Sequence, residues 1–287
     1  MTRGIDHLVL AVRDLEKAHA FYAALGFTLT PRAVHPWGTT NHLAQLRGCF
    51  LELLAVPEPG KIAPAKPGEF GFGAFNRDFL ARREGMSMLV FQSDDARRDQ
   101  AEFAANGLHT YAPFDFGREA KLPDGTVARV AFSLAFVTDP RMPEAAFFAC
   151  QQHAPKYFWK LDYQTHANGA RSIAKVIMVA PEPPALADFF AKLQGREAVR
   201  IDGGALRVAT ARGRVVVLTP AGFAARFSGA APAAATPHFA AFRITGVDPA
   251  AQAVRLASAG IAHRAFNDAV QVPASAAYGV AIEFAAD

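Results

Sequence analysis

Two side chains near the start of the chain, His7 and Glu52, are of types that could do chemistry together. His7 lies in the apolar run 5–12, and Glu52 lies in the apolar run 49–56, 45 residues further on. Both runs are short and rich in Val, Ile or Leu, as is typical of buried strands. An imidazole and a carboxylate are a suitable partial site for Fe, Mn, Ni, Co or Zn. The alternative is a buried pair that is only hydrogen-bonded, because buried polar groups need partners with or without a metal.

The strand-like run around His7 begins a unit of local structure. Asp14 ends the run, and its side chain can accept hydrogen bonds from the free N–H groups that open a helix. Apolar residues at helical spacing follow, and Gly26 ends the helix because glycine adopts the left-handed conformation most readily. Three further strand-like runs cover residues 27–34, 41–46 and 49–56. The unit therefore reads β-α-β-β-β.

The same unit recurs three more times along the chain. In the first unit the capping Asp14 and the terminal Gly26 follow His7 by 7 and 19 residues. The same offsets, with Gly195 one residue late, lead from Met88 to Asp95 and Gly107, from Lys175 to Glu182 and Gly195, and from Ala241 to Asp248 and Gly260. A fixed internal spacing is the mark of repeated structural units. We therefore predict an α+β fold of four βαβββ modules rather than unrelated segments.

The composition is that of a soluble protein with a hydrophobic core. The 287 residues are 51% hydrophobic and 20% charged, which argues against disorder. No apolar run approaches the roughly 20 residues of a membrane span, and no cleavable signal precedes the first strand. We therefore expect a cytoplasmic protein that does not bind membranes. The net charge of only +4 gives little support to nucleic-acid binding, which we do not expect. Cys49 and Cys150 lie in strand-like runs and are expected to be buried, reduced thiols.

The chain length and the repeat favour two domains of two modules each. We predict an N-terminal domain at residues 1–160 and a C-terminal domain at residues 171–287. Residues 153–171 lack clear periodicity and are interpreted as the connection between the domains. Pro123-Asp124-Gly125 predicts a turn within the second module, and the alanine-rich segment 229–236 predicts a link between the third and fourth modules.

Several short motifs accompany the paired modules. They are HPWGTTNH at residues 35–42, LELL at 51–54, FFACQ at 147–151 and QTHANGA at 164–170. With the first-strand His and the last-strand Glu, the chain resembles the vicinal oxygen chelate superfamily, and these motifs are similar to its glyoxalase-like branch. That superfamily contains glyoxalase I, extradiol dioxygenases and bleomycin-resistance proteins. The resemblance covers essentially the whole chain.

The resemblance implies that each pair of modules curls its strands into a cup, with helices outside. In active members a divalent metal lies in the cup, held by residues of first and last strands. Because side chains alternate along a strand, pointing Leu8, Leu10, Leu51 and Leu53 at the helix turns His7 and Glu52 into the cup. By this resemblance His7 and Glu52 are metal ligands, and Glu52 is also the catalytic residue. A substrate with two neighbouring oxygens would chelate the metal, which stabilises an enediolate or polarises a carbonyl.

The chain also departs from the pattern of active members. Met88 stands where the second module usually supplies another ligand, and a thioether is a poor ligand for hard ions. The last strand of that module offers Cys150 and Gln152 instead of a Glu. Gln152 or His42 is a candidate third ligand. His35, Asn41, His42 and Gln152 are also candidates for binding substrate, although a polar turn explains the first three equally well.

Other polar residues are expected to have structural roles. His166, Asn168 and Trp159 are interpreted as contacts at the domain junction in preference to substrate contacts. In the C-terminal cup Lys175 and Ala241 occupy the first-strand positions, so Glu283 alone cannot hold a metal there. Lys175 and Arg243 could bind an anion in this cup, although solvent exposure or an internal ion pair is the simpler interpretation.

Two functions stay open on this reasoning. The first is a metal-dependent lyase, isomerase or dioxygenase that acts on a small oxygen-chelating substrate in the N-terminal cup. The second is a metal-free protein that binds or sequesters a small molecule, as bleomycin-resistance proteins do. In both cases the partner is a small molecule. The sequence leaves open whether a cup is completed within one chain or across a homodimer.

Overall fold

A computed structural model describes residues 2–121, 127–227 and 235–287. Its helices are α1 (Leu15–Ala24), α2 (Phe72–Arg82), α3 (Ala96–Ala105), α4 (Pro155–Phe158), α5 (Ala187–Gln194), α6 (Pro220–Phe227) and α7 (Pro249–Ser258). Strands of the N-terminal half are β1 (Ile5–Ala11), β2 (Ala33–Val34), β3 (Thr40–Gln45), β4 (Phe50–Ala55), β5 (Gly85–Ser93), β6 (His109–Thr110), β7 (Phe114–Lys121), β8 (Val127–Thr138) and β9 (Ala146–Gln152). Strands of the C-terminal half are β10 (Ser172–Val179), β11 (Val199–Asp202), β12 (Ala205–Ala209), β13 (Arg214–Leu218), β14 (His238–Thr245), β15 (Arg264–Phe266), β16 (Ala269–Val272) and β17 (Ala281–Ala285).

These strands form two sheets, one in each half of the chain. The first follows the order β2-β3-β4-β1-β5-β9-β8-β6, with β7 paired to β8, and the second follows β11-β12-β13-β10-β14-β17-β16-β15. Each sheet consists of two βαβββ modules side by side. The second module has one extra strand, β7. The predicted α+β fold of four paired modules is confirmed. All strands of the N-terminal cup come from a single chain.

Most of the predicted helix boundaries are confirmed. Asp14, Asp95 and Asp248 each accept hydrogen bonds from backbone N–H groups at the start of α1, α3 and α7. The four predicted terminal glycines all have positive φ. Glu182 makes no such cap, because the prolines that follow it form a short 3₁₀ turn and α5 begins only at Ala187. The cap predicted at Glu182 is therefore wrong.

The convex faces of both sheets share one core. β1 runs parallel to β4, with Leu8 beside Leu51 and Leu10 beside Leu53. These four leucines are fully buried and belong to the same hydrophobic cluster as Tyr22 of α1. The cluster continues through Phe147 of β9 to Phe189, Phe190 and Phe239 of the C-terminal half. The predicted strand faces are confirmed, and the two halves are packed together by a continuous apolar core.

Several local predictions differ from the structure or lie outside it. The run 27–34 is strand only at Ala33–Val34. The predicted turn at Pro123-Asp124-Gly125 lies outside the described residues, as does most of the segment 229–236. Cys49 and Cys150 are buried and free, as predicted. Among the helices in the described ranges, none has the length and hydropathy required to span a membrane.

The core between β4 and α1 gives a direct test of the strand faces. Leu53→Asp should destabilise the protein by several kcal/mol, because it places an unpaired carboxylate between sheet and helix. We expect insoluble protein, or a large fall in melting temperature by circular dichroism. Val34→Asp is the control, since Val34 is 64% exposed. A soluble Leu53→Asp variant that melts like the wild type would contradict this packing.

Candidate active site

The concave face of the first sheet encloses a small cavity with aromatic walls. Its volume is about 60 Å³, well below the roughly 300–1,000 Å³ of pockets for drug-sized ligands. The apolar lining consists of Trp37, Leu43, Phe50, Phe72, Phe116, Phe132, Leu134, Phe148 and Phe158, and the remaining lining residues are His7, His35, Asn41, Glu52 and Cys150. A compact ligand with a few polar atoms therefore suits this cup.

His7 is held at the wall of the cavity by a hydrogen bond and by stacking. Its Nδ1 lies 2.6 Å from Oδ2 of Asp6, and its ring stacks on Phe50 at 4.1 Å between centroids. Because an ionised carboxylate only accepts hydrogen bonds, we assign the proton of His7 to Nδ1. Nε2, with its lone pair, then points towards Glu52. A second-layer carboxylate that orients an imidazole in this way is the usual support of a metal-binding histidine.

Asp6 reaches His7 because β1 is irregular at this point. In a regular strand, consecutive side chains point to opposite faces. The pairing of β1 with β5 shifts register between Ile5 and His7, which leaves Asp6 without a partner in the ladder. Such a bulge redirects a side chain, and it lets Asp6 turn towards its neighbour. Asp6 is 2% exposed, and its other oxygen accepts a hydrogen bond from Gln152 at 3.3 Å.

Glu52 is held from the other side of the cavity. Nδ2 of Asn41 donates to Oε1 of Glu52 at 2.6 Å and also lies 3.4 Å from Nε2 of His35. His35 in turn contacts Oγ1 of Thr39 at 2.7 Å through its Nδ1 and stacks on Trp37. Nε2 of His35 lies 4.0 Å from Oε1 of Glu52. These contacts fix one oxygen of Glu52 and leave Oε2 facing His7.

The gap between His7 and Glu52 is the central feature of the site. Nε2 and Oε2 are 3.8 Å apart, which is too far for a direct hydrogen bond. Both side chains are more than 90% buried, and with the proton on Nδ1 both facing atoms are acceptors. A cation or a proton between them would satisfy both. A metal ion with bonds of roughly 2.0–2.2 Å to such ligands can reach both atoms.

The structure brings some of the predicted site residues together and separates others. His7, Glu52, His35 and Asn41 all line the cavity. Gln152 is one layer behind, where it supports Asp6. His42 lies on the opposite face of β3, with Nδ1 2.7 Å from the carbonyl oxygen of Thr30. The pairing of β3 with β4 is regular here, so the adjacent side chains of Asn41 and His42 point to opposite faces.

Three cavity features were missed by reasoning from the sequence. Asp6 was overlooked because strand alternation would turn it away from His7. Trp37 lies within the HPWGTTNH motif, which could have indicated it, and its buried Nε1 has no hydrogen-bond partner among the described residues. Phe158 comes from the segment 153–171, which closes the cup as well as connecting the halves. Gln45 holds this segment in place through bonds with Phe158 and Lys160.

The donor set agrees only in part with a metal centre. His7 and Glu52 are of the right chemistry and face each other, but the neighbouring positions hold Cys150 and Met88, whose thioether is a poor ligand for hard ions. Burial, followed by the charges of Asp6 and Glu52, raises the pKa of the Cys150 thiol well above its usual value, so without a metal it is neutral. Within residues 2–121, 127–227 and 235–287, no three His, Cys, Asp or Glu side chains form a cluster that could hold a metal ion. A metal in this cup would rest on two protein ligands and oxygens from substrate or water.

His166 and Asn168 lie between the two halves, away from the cavity. Nδ1 of His166 accepts a hydrogen bond from the backbone N–H of Thr28, and Nε2 contacts the carbonyl oxygen of Gln45 at 2.7 Å. Burial lowers the pKa of His166, so the neutral imidazole suits both bonds. Asn168 donates to the carbonyl oxygen of Leu25. Both contacts agree with a structural role at the junction.

Several solved structures share the fold of this chain. A hypothetical protein from Staphylococcus aureus has 13% identity and a TM-score of 0.66, with 99% of each chain covered. A Mn(II)-bound glyoxalase from Novosphingobium aromaticivorans has 12% identity and a TM-score of 0.58, covering 100% of this chain and 83% of the other. A mutant of 4-hydroxymandelate synthase from Streptomyces coelicolor has 10% identity and a TM-score of 0.57, covering 99% and 92%. At these identities the likeness concerns the fold.

The family is shown by the sequence itself. No curated protein matches the chain. The model of the glyoxalase-like domain family, however, matches residues 5–194, about two thirds of the chain and all of the N-terminal cup. The chain therefore belongs to the glyoxalase-like domain family of the vicinal oxygen chelate superfamily.

Proposed function

We propose that the N-terminal cup binds a divalent metal through His7 and Glu52 and acts on a small substrate that chelates through neighbouring oxygens. The observation that carries this proposal is the pair of acceptor atoms, Nε2 of His7 and Oε2 of Glu52, which belong to two buried side chains and face each other 3.8 Å apart. Two facing acceptors are costly to bury unless a cation or a proton lies between them. The Mn(II)-bound glyoxalase with this fold supports the same interpretation. The reaction would be of the lyase, isomerase or dioxygenase kind.

The side chains around the cavity have distinct roles in this proposal. A bound metal would supply positive charge where negative charge develops on a substrate oxygen. Asp6 holds the Nδ1 proton of His7 and keeps Nε2 directed at the site. Asn41 holds Oε1 of Glu52, so that Oε2 is the oxygen presented to the cavity. Glu52 is then also the carboxylate placed to accept a proton from substrate.

A second candidate function is the metal-free binding of a small molecule. The observation in its favour is the lining, in which seven aromatic side chains surround His7 and Glu52. Met88 and Cys150 occupy the positions beside these two residues. Such walls bind an apolar or aromatic ligand by burying its surface. In this case Glu52 and Asn41 would supply its hydrogen bonds.

Metal content distinguishes the two functions. We expect protein purified without chelator or a His tag to contain Fe, Mn, Ni, Co or Zn, measured by elemental analysis. His7→Ala should abolish that metal, because it removes one of two protein ligands. His109→Ala is the matched control, since this histidine is exposed and outside the cup. Metal-free wild-type protein that takes up none of these ions would exclude the enzymatic proposal. Small-molecule binding that persists both in chelator and in the Glu52→Gln variant would favour the metal-free binding function.

The support that Asp6 gives to His7 can be tested separately. Asp6→Asn keeps the shape of the side chain but removes the charge that fixes the tautomer of His7. We expect metal affinity to fall by about 10–100-fold, as for other changes to groups that orient a ligand. Isothermal titration calorimetry with the metal found in the wild type measures this loss. Asp202→Asn is the matched control, because this aspartate is exposed and lies in the C-terminal half, outside the cup. Equal affinities for Asp6→Asn and wild type would show that Asp6 has no such role.

A further inference from the structure

The concave face of the second sheet carries charged side chains in place of aromatic walls. Lys175 of β10 shares a face with Ile177, and Arg243 of β14 lies beside it in the strand register. Glu283 of β17 is opposite Arg243 and is completely buried. α6 covers this face and brings Arg226 to the same place. The second cup therefore contains a group of three cations around one interior carboxylate.

Glu283 is already fully occupied by its neighbours. Nη2 of Arg226 donates to both of its oxygens, at 2.7 and 2.9 Å. Nη1 of Arg243 donates to Oε1 at 3.0 Å, and Nε2 of Gln271 donates to Oε2 at 2.7 Å. These bonds confirm that Arg243 is part of an internal ion pair. Among the described residues, Lys175 donates none of the hydrogen bonds that Glu283 accepts.

Lys175 has no counter-charge of its own. No acidic side chain in the described ranges lies within ion-pair distance of its Nζ, although the side chain is only partly exposed. Asp268 is a highly exposed residue and pairs with Arg243. Residues 228–234, which follow α6, contain no Asp or Glu in the sequence. The cup thus carries a surplus of positive charge, which is unfavourable in a partly buried place.

Arg264 joins this group by donating to the backbone oxygen of Arg226. Among the described residues of the group, two buried donors and one buried acceptor, Oε1 of Gln271, lack a hydrogen-bond partner. Nε of Arg226 and Nε of Arg264 are both buried and have no hydrogen-bond partner among the described residues. Burial, and then the positive charge of Arg226, lower the pKa of Lys175 to about 8, with Arg243 and Arg214 adding to the effect and Glu283 opposing it. At neutral pH the amine is therefore still mostly protonated.

We propose that the C-terminal cup is a binding site for a small oxyanion, held by the Lys175 ammonium and the Arg226 guanidinium. An oxyanion supplies the negative charge and the acceptor atoms that this group lacks, and guanidinium and ammonium groups are suited to phosphate and carboxylate oxygens. Partial exposure of Lys175 and Arg226 leaves a route from solvent. The ligand is a phosphate or a dicarboxylate, either free or as the charged end of a small metabolite. This site is independent of the metal chemistry proposed for the first cup.

The test is calorimetric titration with inorganic phosphate at low ionic strength, with sodium chloride of equal ionic strength as the blank. Lys175→Met removes the charge but keeps most of the chain length. We expect it to weaken phosphate binding at least about tenfold, as the loss of one charge-assisted hydrogen bond implies. Lys192→Met is the matched control, because it removes a lysine charge from the same half of the chain but outside the cup. His7→Ala should bind phosphate like the wild type.

No heat above the chloride blank in the wild type, with either phosphate or malonate, would overturn the proposal. So would equal affinities for Lys175→Met and Lys192→Met, since general surface charge would then explain the binding. Binding of phosphate alone identifies a phosphoryl group as the ligand, whereas binding of phosphate and malonate identifies any doubly charged oxyanion.

Chemical labelling provides a second measurement that does not depend on a variant. At pH 8 a large part of the Lys175 amine is unprotonated, so it should be acetylated readily by an activated acetate ester, with the site mapped by mass spectrometry. Phosphate should protect Lys175, because a bound anion raises its pKa and covers it, while Lys192 is labelled at an unchanged rate. Acetylation of Lys175 at the same rate with and without saturating phosphate would contradict the proposed site.

The lowered pKa of Lys175 also predicts a dependence of stability on pH. In the unfolded chain a lysine keeps its ordinary pKa near 10.5, so folding is penalised while the amine is protonated, and the penalty fades as the pH rises from about 8 towards 10.5. Lys175→Met should therefore raise the melting temperature at pH 7 in a buffer without oxyanions, with a smaller gain at pH 10. A melting temperature at pH 7 equal to or below that of wild type would show that the protonated Lys175 does not destabilise the folded protein.

Discussion

The parallel pairing of β1 with β4 is the contact on which the N-terminal half depends. In this register Val9 lies beside Glu52 and His7 beside Phe50. One face of the pair then presents leucines to α1, and the other presents an imidazole and a carboxylate to the cavity. Because the side-chain period of a strand is two, a slip of one residue would exchange these faces. Burial of the leucines, which contributes the larger free energy, therefore also orients the site.

A polar group inside an aromatic cup is stable only if its hydrogen bonds are satisfied. Along the cup wall, Gln152 supports Asp6 and Asp6 supports His7, while Asn41 holds Glu52 from the other side. In surroundings of low polarity such a network is rigid, and any unfilled position in it is costly. The space between His7 and Glu52 is such a position. In the proposed function this is the place of a cation or a substrate proton.

The two cups have the same scaffold but different inward-facing side chains. The strand pairings place Lys175 where the first cup has His7, and Ala241 where it has Met88. Val216 of β13 pairs with Ile177 and takes the place that Glu52 has in the first cup. α6 covers the second cup, with stacked Phe223 and Phe227 packed on its apolar part. The backbone topology is shared, whereas the kind of ligand depends on a few inward-facing residues.

Local sequence determined the four modules, three of the helix caps, the terminal glycines and the faces of β1 and β4, because these depend on nearest neighbours and on the alternation of buried leucines. It also pointed to His7, Glu52, His35 and Asn41. Only the tertiary structure decided the rest. A bulge turned Asp6 towards His7, and strand alternation sent His42 to the helix side. Contacts between residues distant in the chain, such as Phe158 over the first cup and Arg226 on Glu283, have no local signal, since they arise only when separate elements pack together.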